Sequence, residues 1–230
     1  MKQFEEFNAS DAIAGNVEWV RKRIADACAR GRRDEGSVSL IAVTKNFPSN
    51  AVHLAYHCGI HDFGENRVQE AGPKFKEVYD ISSLIRLHFI GHLQTNKVKD
   101  ALEISDVIHS IDSLKLAQAV SAHAARQVSC FIQVNVAEEE TKYGFSQDGL
   151  ESAVNNIAEL PNIVILGLMT IAPLTDKPEE VRPVFARLRE LNQKYGFKEL
   201  SMGMTDDFEI AIEEGSTMVR VGRAIFGARS

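Results

Sequence analysis

Short runs of β-branched and aliphatic residues recur along this chain, and between them the apolar residues change to a spacing of three and four. That alternation constrains the fold more than any other feature. A strand with few polar interruptions needs cover on both faces, which a parallel sheet under helices provides. The runs cover residues 38–44, 61–64, 86–90, 107–111, 130–136, 163–170, 199–204 and 217–221. Eight strands, each followed by a helix, is the count of a (β/α)8 TIM barrel; a doubly wound open sheet is the alternative with a lower match to that count.

The intervening segments read as helices. Leu150, Val154, Ile157 and Leu160 share a face, as do Val181, Phe185, Leu188 and Leu191, and Leu114, Ala117, Val120 and Ala124. Pro178 and Pro183 suit a first helical turn. Ahead of the first strand, Ile13, Val17, Val20, Ile24 and Cys28 form a further amphipathic stripe, with Ser10 or Asp11 expected as its N-cap. That segment, residues 1–36, is an N-terminal helical addition to the barrel. No Pro/Gly/Ser-rich linker divides the chain, so residues 1–230 are expected to form a single domain.

Composition excludes several classes. A length of 230 residues with 44% hydrophobic and 25% charged residues is an ordinary soluble balance with ample material for a core. A net charge of −6 argues against broad nucleic-acid binding. There is no signal-peptide core and no apolar run long enough to span a bilayer. Cys28, Cys58 and Cys130 form no C-x-x-C pair, which fits a reduced, cytoplasmic setting. No P-loop, G-x-G-x-x-G or H-E-x-x-H pattern occurs. His53 and His57 lie one helical turn apart with His61 nearby, but a zinc site lacks a clear third ligand.

In a barrel, function gathers at the C-terminal ends of the strands. The first strand ends in Lys45, a long charged residue closing a buried run. Partial desolvation there pushes its amine toward the neutral, nucleophilic form. Later strand ends add Asn66, His88, Asn135, Thr170, the 201–205 loop and Arg220, with Lys142 beyond the fifth strand. Barrels often seat a phosphate after strands seven and eight. Ser201, Met202 and Gly203 supply one loop for this, and Gly222 with Arg223 opens the final helix. Asp206 and Asp207 already occupy the positive end of the helix after strand seven, which makes that helix the poorer seat. The seat is expected across the mouth from Lys45. Arg220 is placed to face the ring nitrogen of a phosphorylated pyridine and keep it unprotonated. A Schiff-base lysine, a phosphate cradle and an arginine at the nitrogen together make a coherent pyridoxal 5'-phosphate site.

At this point the sequence resembles the pyridoxal phosphate homeostasis protein family, also called the YggS/PROSC family, whose fold is similar to the N-terminal barrel of alanine racemase. The resemblance rests on Ile41-Ala-Val-Thr-Lys45, Phe63-Gly-Glu-Asn-Arg-Val-Gln-Glu70 and His88-Phe-Ile-Gly-His-Leu-Gln-Thr-Asn-Lys97. It continues through Gly167-Leu-Met169, Leu200-Ser-Met-Gly-Met204, Gly215-Ser-Thr-Met-Val-Arg-Val-Gly222 and Ala224-Ile-Phe-Gly227. These segments span nearly the whole chain in order. The resemblance implies that Lys45 carries the cofactor as a Schiff base, that Ser201, Gly222 and Arg223 bind its phosphate, and that Arg220 faces its ring nitrogen. This chain has Thr205 where the family usually has Ser, and Arg223 where it often has Thr.

Each residue also has an ordinary reading. Lys45 alone is a lysine after a strand, Arg220 a salt-bridge residue, Asn66 a helix cap, and His88 a packing histidine or a contact to the cofactor ring. Two functions compete at the site: a carrier or buffer in intracellular cofactor homeostasis, which would serve pyridoxal-phosphate-dependent apoenzymes, and a weak amino-acid racemase or other enzyme using the same Schiff base. Racemisation needs a base on each face of the α-carbon. Lys45 supplies one, but none of the four tyrosines, Tyr56, Tyr79, Tyr143 and Tyr195, has a convincing place as the other, although Tyr143 is near a strand end. Alanine-racemase-like enzymes bring a tyrosine from a second domain of a partner subunit, so the expectation is a monomeric carrier with no such base. A barrel enzyme for an unrelated phosphorylated metabolite would share the phosphate cradle without needing Lys45.

Overall fold

A computed structural model describes residues 2–79, 82–139 and 141–227, with side chains described from residue 10. Helix α1 (Lys2–Arg30) comes first. Then strands and helices alternate: β1 (Ser39–Val43), α2 (Ser49–His57), β2 (Asp62–Glu65), α3 (Val68–Tyr79), β3 (Arg86–Phe89), α4 (Val98–Ile104), β4 (Val107–Ile111) and α5 (Leu114–His123). The second half repeats the pattern with β5 (Val128–Gln133), α6 (Leu150–Ala158), β6 (Ile163–Met169), α7 (Arg182–Lys194), β7 (Glu199–Met204), α8 (Phe208–Glu213), β8 (Met218–Val221) and α9 (Arg223–Phe226). All neighbouring strands are parallel, and β1 pairs with β8 through Ile41↔Arg220 and Ala42↔Val221, which closes the barrel. The open-sheet alternative is therefore excluded.

The two-residue period of the strands sorts side chains into two environments. Ala42, Phe63, Leu87, Ile108, Cys130, Ile132, Leu168, Leu200, Val219 and Val221 pack outward into the clusters shared with the helices. Val107, Phe131 and Met169 form a separate apolar cluster on the inward parity. The same inward parity carries Asp62, His88, His109, Ser201 and Arg220, all buried. A polar column thus occupies part of a space that barrels ordinarily fill with aliphatic layers.

Helix α1 has a definite job in the closure. Helix α9 has only four residues and is too short to cover β8 and β1. Val17, Val20, Ile24, Ala27 and Cys28 of α1 fill that gap against Val52, Phe208, Ile212 and Ile225. Asn16 Nδ2 donates to Ile225 O at 2.9 Å, and Arg33 Nη1 donates to Ile212 O and Ser216 O at 2.8 and 2.7 Å. The expected N-cap at Ser10 or Asp11 is not one, because both residues lie inside a helix that begins at Lys2. The stripe expected for α5 does face the core: Ala117 and Val120 are buried, Leu114 and Ala124 pack against the same cluster, and Leu116 joins them.

Candidate functional site

Lys45 sits half-buried in the turn that follows β1, and the residues on either side of it are pinned. Thr44 Oγ1 donates to Glu65 Oε1 at 2.8 Å, and Thr44 O accepts from Lys74 Nζ at 2.8 Å. The same ammonium reaches Glu65 Oε1 at 2.6 Å and Glu70 Oε1 at 3.0 Å. Glu70 in turn accepts the backbone N–H of Asn46. Asn46 has φ +65°, a left-handed conformation that asparagine tolerates better than most residues. Burial pushes the Glu65 carboxyl above its ordinary range, more than the bonds from Lys74 and Thr44 draw it down. The sequence gives Glu65 and Glu70 as parts of a motif, but Lys74 reads there as one more helix lysine.

The polar column lies beneath this mouth. Arg86 and His88 Nε2 both meet Asp62, the latter at 2.8 Å to Oδ1. His88 Nδ1 lies 2.8 Å from His109 Nε2, and His109 Nδ1 lies 2.8 Å from Ser201 Oγ. Arg220 Nη1 donates to Ser201 Oγ, and Arg220 Nη2 donates to Thr170 O at 2.9 Å. His109 also stacks on Phe131 with ring centroids 4.5 Å apart. Burial, with the nearby His88 and Arg220, holds the His109 imidazole well below its ordinary pKa. Burial likewise pushes the Arg220 guanidinium down to about 10, partly opposed by the charge of Asp207. Burial alone would raise the Asp62 carboxyl, but its hydrogen bonds to His88 and Arg86 leave it lowered.

Arg220 is the notable member. It is 4% exposed and makes no salt bridge among the described residues. Its two recorded acceptors, a hydroxyl and a carbonyl, are uncharged. Burying a cation without a contacting anion is expensive, so its presence calls for a reason beyond stability.

The remaining expected site residues surround the same strand ends. Gly222 follows β8 and packs against Val43, where a Cβ would stand 3.2 Å from Val43 O. Gly222 and Arg223, the part of the expected phosphate seat that follows β8, lie beside the β1 end rather than across the mouth from it, because β8 and β1 are neighbours in the closed barrel. Gly203 has φ +92°, and a Cβ on it would lie 2.6 Å from Ala211 Cβ, so glycine here also lets α8 pack close. The Met202 side chain is buried among the helices, which leaves only its backbone for the mouth. Arg223 is exposed and forms a two-oxygen ion pair with Asp206 that bridges the β7 loop to α9. Asn66 is half-buried at the end of β2, and its Oδ1 is buried without a hydrogen-bond partner. His88 and Ser201 lie deeper than the strand-end reading suggests, with their polar atoms engaged in the column.

Around the rim, His92 stacks on Tyr143 with centroids 3.8 Å apart and bonds Asp112 at 2.8 Å. Tyr56 Oη donates to Ser82 Oγ in the loop before β3, and Tyr79 Oη on α3 donates to Ile104 O at the end of α4. Exposed Lys142 borders a cavity of about 210 Å³ with Ile171, Leu174, Met204, Asp206 and Asp207. Among the described residues, no three His, Cys, Asp or Glu side chains are grouped to hold a metal ion, and the His53–His57–His61 region forms no such group.

The chain is similar in sequence and fold to known proteins. The family described as alanine racemase, N-terminal domain, matches residues 9–230. A pyridoxal phosphate homeostasis protein of Aquifex aeolicus is 42% identical over 219 residues, covering 91% of this chain and 95% of the relative. The structure of PipY from Synechococcus elongatus with PLP bound has a TM-score of 0.82 at 35% identity, covering 94% of this chain and 100% of that one. An alanine racemase of Corynebacterium glutamicum has a TM-score of 0.74 at 19% identity, covering 95% of this chain and 61% of that one. At that identity the likeness speaks to the fold alone.

Proposed function

We propose, from the premise that this chain belongs to the pyridoxal phosphate homeostasis protein family, that it binds pyridoxal 5'-phosphate and serves as an intracellular carrier or buffer of it. The observation that carries the reading is the pairing of Lys45 with Arg220 at adjoining strand ends. One is a primary amine on a pinned turn; the other is a buried guanidinium that, among the described residues, makes no salt bridge and bonds two uncharged acceptors. The orphaned Asn66 Oδ1 at the same mouth supports the fit, since a buried amide oxygen without a partner marks a place for a donor.

Bound there, the cofactor supplies an aldehyde that a primary amine captures reversibly. Lys45 Nζ would hold it as a Schiff base, with water as the only leaving group. Arg220 would donate to the ring nitrogen and, as a permanent cation, keep that nitrogen unprotonated. The backbone at Met202 and Gly203, the Gly222 N–H and Arg223 would take the phosphate. Asn66 would lie against the ring. His88 would stand below it, since both of its ring nitrogens are engaged by Asp62 and His109.

The whole chain, residues 1–230, is read as one cofactor-binding domain, monomeric and cytoplasmic, with pyridoxal-phosphate-dependent apoenzymes as recipients. Three free thiols support the compartment. Among the described residues no helix is long and apolar enough to cross a membrane. Sedimentation of the purified protein checks the monomer.

The test is an absorption spectrum after addition of pyridoxal 5'-phosphate, followed by borohydride reduction and mass mapping. A visible band and a pyridoxyl adduct on Lys45 are expected, and Lys45→Ala is expected to lose the band while keeping its circular dichroism. A protein that takes up no cofactor overturns the reading. Lys45-dependent conversion of single L-amino acids to their D forms, followed by chiral chromatography, would replace the carrier with a racemase.

A further inference from the structure

We infer that Asp62, His88 and His109 are positioning residues of the cofactor site, forming a one-directional hydrogen-bond relay that acts through Ser201 on Arg220 from the opposite end of the barrel. This inference rests on the proposed function for the identity of the ligand, but its geometry does not.

With His88 carrying a single ring proton, the direction follows from the donors available. Asp62 is a carboxylate and accepts, so His88 presents Nε2–H to it at 2.8 Å. A neutral His88 then accepts at Nδ1, which makes His109 the donor through Nε2–H at 2.8 Å. His109 is left to accept at Nδ1, so the Ser201 hydroxyl hydrogen points to it at 2.8 Å. With its hydrogen committed, Ser201 Oγ offers a lone pair to Arg220. The chain therefore runs Arg220 to Ser201 to His109 to His88 to Asp62, and each buried atom in it has one role.

The consequence for the site is specific. Ser201 orients the guanidinium rather than donating its own hydrogen at the mouth. Thr170 O holds the second nitrogen at 2.9 Å, so the plane of Arg220 is fixed by two neutral acceptors. The negative end of the relay is at Asp62, near the basal face, where Arg86 and a cavity lined by His61 and Asp62 adjoin it. Hydrogen bonds in such a chain polarise one another, so a change at Asp62 is felt at Arg220. One proton added at His88 would reverse every bond from His88 to Ser201. The charged groups facing the column are Asp62 on β2, Arg86 on β3, Arg220 on β8 and Asp207 ahead of α8.

The experiment has two arms on the full chain. Long-range ¹H–¹⁵N spectra of the cofactor-free protein at neutral pH read the imidazole tautomers, assigned with His88→Gln and His109→Gln. Both histidines are expected neutral with the hydrogen on Nε2. An Nδ1–H form or a doubly protonated ring at either position overturns the relay. In the second arm, wild type, Asp62→Asn and His109→Phe are titrated with pyridoxal 5'-phosphate. His109→Phe is expected to bind about tenfold more weakly. Asp62→Asn is near-isosteric and far from the mouth, so it reports transmission if His109→Phe fails to fold. It is expected to lower the pH midpoint of the visible band, because a negative charge behind the site is lost. A wild type that takes up no cofactor overturns the proposed function. A wild type that takes it up, with the midpoint unchanged in Asp62→Asn, overturns the relay.

Discussion

Two ion clusters of similar composition do opposite kinds of work in this barrel. At the mouth, Lys74 joins Glu65 and Glu70 with its side chain 6% exposed, and the three hold the residues flanking Lys45. On the outside, Arg182 meets Glu179, Glu213 and Glu214, while Arg30 meets Glu209 and Glu213, tying α1, α7 and α8 together. There the Arg182 and Arg30 side chains are 31% and 49% exposed. Water screens the outer network, and its members can exchange partners. The inner cluster has no such freedom, so it fixes atomic positions rather than helix packing.

The largest effect should come from breaking the inner cluster. Lys74→Met leaves the Glu65 carboxyl buried without its cation and frees both Thr44 O and the Glu70 carboxylate. A loss of about 3–5 kcal/mol in urea unfolding is expected, the range for removing one partner of a buried pair. If buried charge is the cause, Lys74→Met combined with Glu65→Gln should recover part of it. A single variant as stable as wild type would place Lys74 with the outer arginines.

How much of this was legible in the sequence divides along the same line. The barrel was readable because strand and helix periodicities are local, and all eight strands lie where the apolar runs fall. The placement of Lys45, Arg220 and Gly222 near the C-terminal ends of β1 and β8 was readable for the same local reason. The relay was not, since its members lie far apart in the chain: His109 and Ser201 are separated by 92 residues. A weak signal did exist. His88 and His109 are polar residues flanked by apolar neighbours such as Leu87, Phe89, Val107 and Ile108 in short buried strands, a place where a polar side chain needs a partner. Lys74 gave no signal, because a lysine in α3 has the same sequence appearance whether it faces water or Glu65. The helix start at Lys2 was missed because Ser10 and Asp11 are good caps that the chain does not use as caps.

A smaller effect separates the column from both clusters by its pH dependence. An unfolded His109 takes up a proton near 6.5, while the folded one is held well below that value. The unfolded state then binds more protons, so the stability tied to His109 is present above that pH and is lost as pH falls below it. Asp62 acts the same way lower down. Its folded carboxyl is lowered from 3.8, so its contribution is present above that value and fades as pH falls through the folded one. Stability measured by urea unfolding should thus fall in two stages on acidification. His109→Phe should flatten the upper stage and Asp62→Asn the lower. An unchanged upper slope in His109→Phe would mean that another group carries it.

The smallest effect belongs to the outer network. Arg182→Ala removes contacts to three glutamates, yet each pair is partly solvated and Arg30 and Arg189 still neutralise Glu213 and Glu214. The expected loss is about 1 kcal/mol at low salt. Because exposed pairs are screened over about 10 Å at 0.1 M ionic strength, the difference from wild type should shrink as salt rises. The Lys74→Met loss should keep most of its size under the same conditions, since no ions reach that pair. Equal salt dependence in the two variants would mean that solvent penetrates the mouth cluster, and then Lys74 could not hold Thr44 and Asn46 on either side of Lys45.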